Sequence, residues 1–282
     1  MSFQFALIGY PIQHSLSPWI HEQFLKKAGL SGSYSIVEIT PDESFEQRLT
    51  DLKREHINGF NVTVPYKQKI IPYLDDLDVE ARRIGAVNTV VSRNGRWIGY
   101  NTDGKGYTRS LKQHYPAVFA DKDIKIAIIG AGGAARGIYD ALVTAGFHYV
   151  DIANRTVSSA EAITELQQDQ TNTAVLSLAG LGNKLDHYDV IIQTTSVGMK
   201  PNQDKSIIQL APSLKKDSVV SDIIYQPITT EFLKQAKNRG AYTHYGHTML
   251  LYQAQYAFEL WTMKHVPIDD MENQLQQILE GR

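Results

Sequence analysis

Near the middle of the chain, the stretch Ile126-Ala-Ile-Ile-Gly-Ala-Gly-Gly-Ala-Ala-Arg-Gly137 narrows what the rest can fold into. Ile126 to Ile129 are apolar and mostly β-branched, the pattern of a strand buried on both faces of a parallel sheet. Gly130, Gly132 and Ala135 then fit G-x-G-x-x-G/A, a turn that brings a backbone close to a pyrophosphate at a helix N-terminus. A Cβ at either glycine would meet the turn or the phosphate. Ile138, Leu142, Val143 and Ala145 mark the packed side of the helix that follows. Strand before and helix after favour a nucleotide site over an unliganded glycine turn. The motif does not say what is done with the nucleotide.

The surrounding pattern extends the same architecture. Strands at 126–129, 148–153, 173–177, 189–192, 218–222 and 241–245 alternate with helices at 133–145, 157–168 and 229–239, the signature of a doubly wound α/β domain. The second strand of the unit ends at Asn154-Arg155-Thr156. An NAD site places an Asp or Glu about 20 residues beyond the glycines. Here a guanidinium stands instead, which pairs with a 2′-phosphate and favours NADP. Asp151, the nearby acid, lies inside the strand. Thr194-Thr195-Ser-Val-Gly-Met199 ends a later strand with small hydroxyls against which a flat ring can lie.

The 282 residues suffice for two domains, and the first hundred hold a different α/β pattern. Phe3 to Tyr10 reads as a strand, and His14-Ser-Leu-Ser-Pro18 leads into a helix from about Trp19 to Lys27, with Ser17 as its expected cap. Ser15 and Ser17 stand two apart in one turn, placed for a polyhydroxylated ligand. In Gly59-Phe-Asn-Val-Thr-Val-Pro-Tyr-Lys67, Phe60, Val62 and Val64 alternate with Asn61 and Thr63, so one face reads apolar and the other polar. Leu77 to Arg83 reads as helical, and Asn94-Gly95 signals a type I′ hairpin. Asp103 reads as a cap of a helix over Tyr107 to His114. Lys67 and Asp103 both stand just past strand ends, where α/β proteins gather their chemistry. Leu250, Ala254, Ala257, Phe258 and Trp261 form the packed face of a last long helix, with Gln253 flanking it.

Composition excludes several classes. The net charge of −2 gives no electrostatic case for nucleic acid or an anionic membrane. The absence of cysteine removes disulfides, cysteine–zinc sites and thiol catalysis. His244 and His247 lack a third ligand, so no metal is expected. Without a leader pattern or an apolar run of membrane length, a cytoplasmic protein is expected.

These segments together resemble the shikimate dehydrogenase family over essentially the whole chain. The matching pieces are His14-Ser-Leu-Ser-Pro18, Asn61-Val-Thr-Val-Pro-Tyr-Lys67, Gly85-Ala-Val-Asn-Thr89, Asn101-Thr-Asp103, Gly130-Ala-Gly-Gly-Ala-Ala-Arg136, Asn154-Arg-Thr156 and Gly246…Met249…Gln253. The resemblance implies NADP-dependent, reversible reduction of 3-dehydroshikimate to shikimate, toward chorismate and the aromatic amino acids. It implies that Lys67 and Asp103 are the catalytic pair, and that Ser15, Ser17, Thr63, Asn88, Tyr225 and Gln253 bind substrate. Cofactor contacts fall on Gly130, Ala131, Gly132, Gly133, Ala134, Ala135, Asn154, Arg155, Thr156 and Thr195, with Gly246 and Met249 at the nicotinamide. It further implies a substrate-binding α/β domain at 1–104 plus 247–282, a Rossmann-type NADP-binding domain at 105–246, and a cleft between them. Partners are small molecules, with the chain a monomer or homodimer. One departure stands out: the family often carries a second basic residue where this chain reads Val157-Ser-Ser159. A quinate/shikimate relative with relaxed or NAD preference is the alternative, and a dinucleotide sensor without turnover the non-enzyme one.

Overall fold

A computed structural model describes residues 2–210 and 214–281. The chain divides into two compact units, Met1–Asp103 with Gln253–Ile268, and Gly104–Tyr252 with Asp269–Arg282. The division falls at the first residue of one helix and inside another.

The first unit is built on β1 (Phe3–Gly9), α1 (Ser17–Lys27), β2 (Gly32–Glu38), α2 (Phe45–Arg54), β3 (Gly59–Val62), β4 (Asp76–Leu77), α3 (Val79–Ile84), β5 (Thr89–Arg93) and β6 (Arg96–Tyr100). Its sheet runs β2-β1-β3-β5-β6-β4, with β5 antiparallel to both neighbours and the other pairings parallel. The ends of β1, β3 and β6 and the start of β5 therefore lie along one edge. Asn94 and Gly95 have φ of 52° and 76°, the two left-handed residues a type I′ turn requires. Ile8, Phe60, Val62, Val90 and Trp97 pack one face against Phe45, Leu49 and Leu52 of α2.

The second unit holds α4 (Asp103–His114, whose first residue belongs to the first unit), β7 (Lys125–Ile129), α5 (Gly133–Thr144), β8 (Tyr149–Ala153), α6 (Val157–Glu161), β9 (Val175–Leu176), α7 (Leu178–Gly182), β10 (Val190–Gln193), β11 (Val219–Asp222), α8 (Glu231–Asn238) and β12 (Tyr242–Tyr245). Helix α9 (Gly246–Thr262) and α10 (Met271–Glu280) complete the chain. The sheet is wholly parallel in the order β12-β11-β10-β7-β8-β9, the Rossmann arrangement with its switch point between β7 and β10. Helices cover both faces, which is why the strands read as continuous apolar runs. Ile126, Ile128, Ile152 and Ile192 enter one core, while Ala127, Ile129, Ile191 and Val220 enter the other.

Several local expectations change. Helix 157–168 stops at Glu161 and resumes as a 3-10 turn over Thr164–Leu166. The Thr164 hydroxyl takes the carbonyl of Glu161 at 2.7 Å, a side-chain bond that competes with the helical ladder. Leu77 pairs with Gly99 as a strand, and the helix begins only at Val79, capped by Asp78. Val64 is 63% exposed: β3 ends at Val62, so the alternation does not carry the next valine inward. On α9, Leu251 is fully buried while Leu250 is only half-buried, because Tyr252, Gln253 and Gln255 are buried as well and the packed surface is wider than one stripe. Residues 247–252 and α10 fall in the second unit. There Met271, Leu275 and Leu279 are buried, and Glu272 bonds His114 of α4 at 2.7 Å.

Candidate active site

The chemistry-bearing residues of the first unit gather on the edge where β1, β3 and β6 end. Lys67 follows β3, Asn88 immediately precedes β5, and Asp103 follows β6. Asp103 was expected as a helix cap, but α4 starts at Asp103 itself. Asn101 Oδ1 accepts from the Asp103 backbone N–H at 3.1 Å, so the first turn is held by another side chain. That leaves the Asp103 carboxylate for its neighbours. Lys67 Nζ donates to Asp103 Oδ2 at 2.6 Å, with side chains 15% and 5% exposed. Asn88 Nδ2 donates to Asp103 Oδ1 at 2.9 Å and to Gln253 Oε1 at 3.2 Å. Gln253 comes from α9, which is seated on this sheet by Trp261: its indole N–H donates to the carbonyl of Val90 at 2.9 Å. A Cβ on Gly59 would lie 2.3 Å from that indole nitrogen, so glycine is required there. A cation and a carboxylate with two amides, largely withheld from water, form a site that can hold an oxygen and move a proton to it.

Ser15 and Ser17 stand beside this edge, after β1. Ser17 is not the expected cap: the helix starts at Ser17, Leu16 occupies the cap position, and no side chain caps it. Ser17 N–H and its hydroxyl instead both lie 3.2 Å from Ser15 Oγ, which ties the two hydroxyls into one turn. Thr63 follows β3, with its N–H on the carbonyl of Ile8 at 2.9 Å. Tyr225 lies in the second unit, half-buried after β11.

In the second unit the glycine turn sits at the switch point. Gly130 has φ of 119°, and a Cβ on it would lie 2.4 Å from Thr194 Oγ1, so both conformation and contact exclude a side chain. Gly132 differs, since a Cβ there would meet nothing within 4 Å. No protein atom demands that glycine, so the room it leaves opens outward at the start of α5, whose first turn has no side-chain cap. Ala131, Gly133 and Ala134 are half-buried in the same turn, and Ala135 is buried. This is the cradle a pyrophosphate needs. Asn154 Nδ2 bonds the carbonyl of Thr156 at 2.9 Å, and Arg155 between them is exposed with no acidic partner among the described residues. Asp151 does not compete for a ribose: its oxygens accept from Ala174 N–H at 2.8 Å and Tyr188 hydroxyl at 2.7 Å.

Sequence reasoning missed Gln193, a fully buried amide at the end of β10. It bonds the carbonyls of Thr195 and Val197 at 3.1 and 3.2 Å and accepts from Thr195 N–H, which shapes the loop carrying Thr195. Its Nδ-equivalent amide nitrogen, Nε2, also reaches Asp222 Oδ1 at 3.3 Å. Burial pushes the Asp222 carboxyl up to about 7, against three hydrogen bonds that act the other way. Gly246 and Met249 are buried at the start of α9, and a Cβ on Gly246 would lie 2.3 Å from the carbonyl oxygen of Ile223. Packing alone therefore requires that glycine. His244 bonds Ser110 at 2.7 Å and Ser221 at 2.8 Å, and burial pushes its imidazole down to about 3. Among the described residues no three His, Asp or Glu side chains are grouped to hold a metal ion.

A Rossmann-order sheet with an open glycine cradle, in one chain with a buried lysine–aspartate pair, defines a two-unit dinucleotide-binding protein. Residues 7–90 match the family described as the shikimate dehydrogenase substrate binding domain, 116–231 shikimate / quinate 5-dehydrogenase, and 246–276 the shikimate 5′-dehydrogenase C-terminal domain. The chain is 52% identical to a shikimate dehydrogenase (NADP(+)) of Oceanobacillus iheyensis over 282 residues, 100% of both chains. It is similar to a solved shikimate 5-dehydrogenase of Thermus thermophilus in complex with NADP(H) and shikimate, at 34% identity and a TM-score of 0.83, covering 98% of this chain and 99% of that one. A quinate dehydrogenase of Corynebacterium glutamicum in complex with NAD has a TM-score of 0.85 at 27% identity, over 100% and 99% of the two chains. The chain belongs to the shikimate dehydrogenase family.

Proposed function

We infer that this protein catalyses the reversible, NADP-dependent reduction of 3-dehydroshikimate to shikimate, within the route to chorismate and the aromatic amino acids. The observation that carries the reading is the Lys67–Asp103 pair, 2.6 Å apart and closed in by Asn88 and Gln253, in a chain of this family. NADPH, when bound, supplies the hydride. Lys67 acts on the carbonyl oxygen: its ammonium stabilises the developing alkoxide and provides a proton as the charge builds. Asp103 holds Lys67 in place and shares the proton transfer. Ser15, Ser17, Thr63, Asn88, Tyr225 and Gln253 bind the substrate hydroxyls and carboxylate.

The first unit is the substrate-binding domain and the second the NADP-binding domain. Gly130 to Ala135, Asn154, Thr156, Thr195, Gly246 and Met249 hold the cofactor, and Arg155 takes its 2′-phosphate. No helix among the described residues is long and apolar enough to cross a membrane, and the enzyme is assigned to the cytoplasm as a monomer or homodimer with small-molecule partners. The test is a panel of shikimate and quinate against NADP⁺ and NAD⁺, followed by absorbance at 340 nm. Turnover is expected with shikimate and NADP⁺ above every other pair. Faster turnover with quinate or NAD⁺ would replace this reading with the relaxed relative, and no turnover in any arm would replace it with a dinucleotide sensor.

A further inference from the structure

Behind the lysine–aspartate pair, the buried polar groups of the first unit form a chain whose hydrogens follow from groups that have only one role. Asn88 Oδ1 lies 2.8 Å from the Thr102 backbone N–H, a donor, and Asn88 Nδ2 lies 2.9 Å from the Asp103 carboxylate, an acceptor. The Asn88 amide thus has one orientation. Asn61 Nδ2 lies 3.1 Å from the carbonyl oxygen of Asn88, which only accepts, so its Oδ1 faces the Tyr34 hydroxyl at 2.8 Å. The direction of both hydroxyls then follows from their nearest partners. Tyr34 must donate to Asn61 Oδ1. Thr89 Oγ1, 3.1 Å from Asn61 Nδ2, must accept there, and of the two acceptors in reach of its own hydrogen Asn88 Oδ1, at 3.1 Å, is nearer than Thr102 Oγ1, at 3.4 Å.

The donors run one way, from Tyr34 through Asn61, Thr89 and Asn88 to Asp103, whose other oxygen takes Lys67. Bonds aligned head to tail in a site this dry polarise one another. Tyr34 at its head is held by the buried His21 ring, stacked on it at 4.5 Å and 4°. Thr89 is fully buried on β5, between β3 and β6. Valine would fill the same volume there and suit the strand, without a polar group to bury. The hydroxyl has a use only through its neighbours.

We propose that Thr89 is a positioning residue for the reaction: its hydroxyl fixes the Asn88 amide, and the amide fixes the Asp103 carboxylate that faces Lys67. This inference rests on the reading that Lys67 and Asp103 do the chemistry. The experiment compares Thr89→Val, Thr89→Ser and Asp103→Asn with the parent, measuring kcat and KM for shikimate with NADP⁺ and the melting temperature. Thr89→Val is expected to lower kcat about three- to tenfold, the loss of one neutral hydrogen bond, at a melting temperature close to the parent. Thr89→Ser is expected to keep kcat within about twofold although it loses a buried methyl and melts lower. Activity and stability would then move in opposite order across the two variants, which a purely structural role cannot produce. Parental kcat and KM in Thr89→Val, with Asp103→Asn inactive, overturn the relay alone, as does a Thr89→Ser variant as slow as Thr89→Val. Parental turnover in Asp103→Asn overturns the reading of the site itself. If Thr89→Val does not fold, Thr89→Ala removes the same hydroxyl, and an unchanged kcat in that variant overturns the proposal equally.

Discussion

Replacing Lys67 by alanine removes the cation on which the proposed chemistry depends, and the structure separates its two costs. Deleting one member of a buried ion pair costs about 3–5 kcal/mol when the remaining charge is stranded. Asp103 is not stranded, because Asn88 Nδ2 stays at 2.9 Å, and Lys67 is 15% exposed, so water can enter the space it leaves. The expected loss of stability is therefore about 1–2 kcal/mol, which lowers the melting temperature of a chain this long by about 2–4 °C. The catalytic cost is larger. A positioned proton donor contributes about 10²–10⁴-fold, or about 3–5 kcal/mol of transition-state stabilisation. Substrate binding is assigned to the serine, threonine and amide groups, so KM for shikimate should change little. The assay is initial-rate absorbance at 340 nm with shikimate and NADP⁺ at 25 °C, where the variant is still folded, alongside a thermal melt. A variant that melts lower as expected yet turns over within a few-fold of the parent refutes the role of Lys67.

Two further outcomes follow from the second unit. Arg155→Ala is expected to raise KM for NADP⁺ about tenfold and leave NAD⁺ kinetics unchanged, since an exposed guanidinium retains part of the worth of a charge-assisted bond; equal effects on both cofactors would remove the 2′-phosphate contact. Glu272→Gln tests the bond between α4 and α10. The hydrogen bond to Glu272 raises His114 above its ordinary 6.5, and the same bond holds Glu272 below 4.5. The raised histidine stabilises the fold below pH 6.5, and this is lost as pH climbs through its raised value. The depressed carboxylate stabilises above pH 4.5, and this is lost as pH falls through its lowered value. The melting temperature of Glu272→Gln should thus lie furthest below the parent between pH 4.5 and 6.5 and approach it in alkali. A gap that stays constant to about pH 9 would contradict the assignment.

Local chemistry made much of the molecule legible. Continuous β-branched runs marked strands covered on both faces, and the glycine turn fell at the switch point because only glycine tolerates both φ of 119° and Thr194 at 2.4 Å. Asn94-Gly95 dictated its own hairpin. Both cap readings gave way for the same reason, in that a side chain two residues upstream holds the backbone N–H. Asp103 looked like a cap until Asn101 took that duty, and Ser17 looked like a cap until Ser15 bound its N–H. Gln193 carried no pattern at all, because a single amide at a strand end acquires meaning only from the loop folded over it.

The sequence by itself determined most of the strands, the turns and the residue types available for chemistry, since these follow from periodicity and from what glycine, proline and β-branched residues permit within a few positions. Only the tertiary structure decided which of those residues meet. Lys67 and Asp103 lie 36 positions apart, and Asn88 and Gln253 lie 165 apart. Their contact depends on β5 running against its neighbours and on Trp261 seating α9 over Gly59. The direction of the relay from Tyr34 to Asp103 is likewise a tertiary fact, because a hydroxyl or an amide has no fixed role until a backbone N–H, a carbonyl or a carboxylate stands against it.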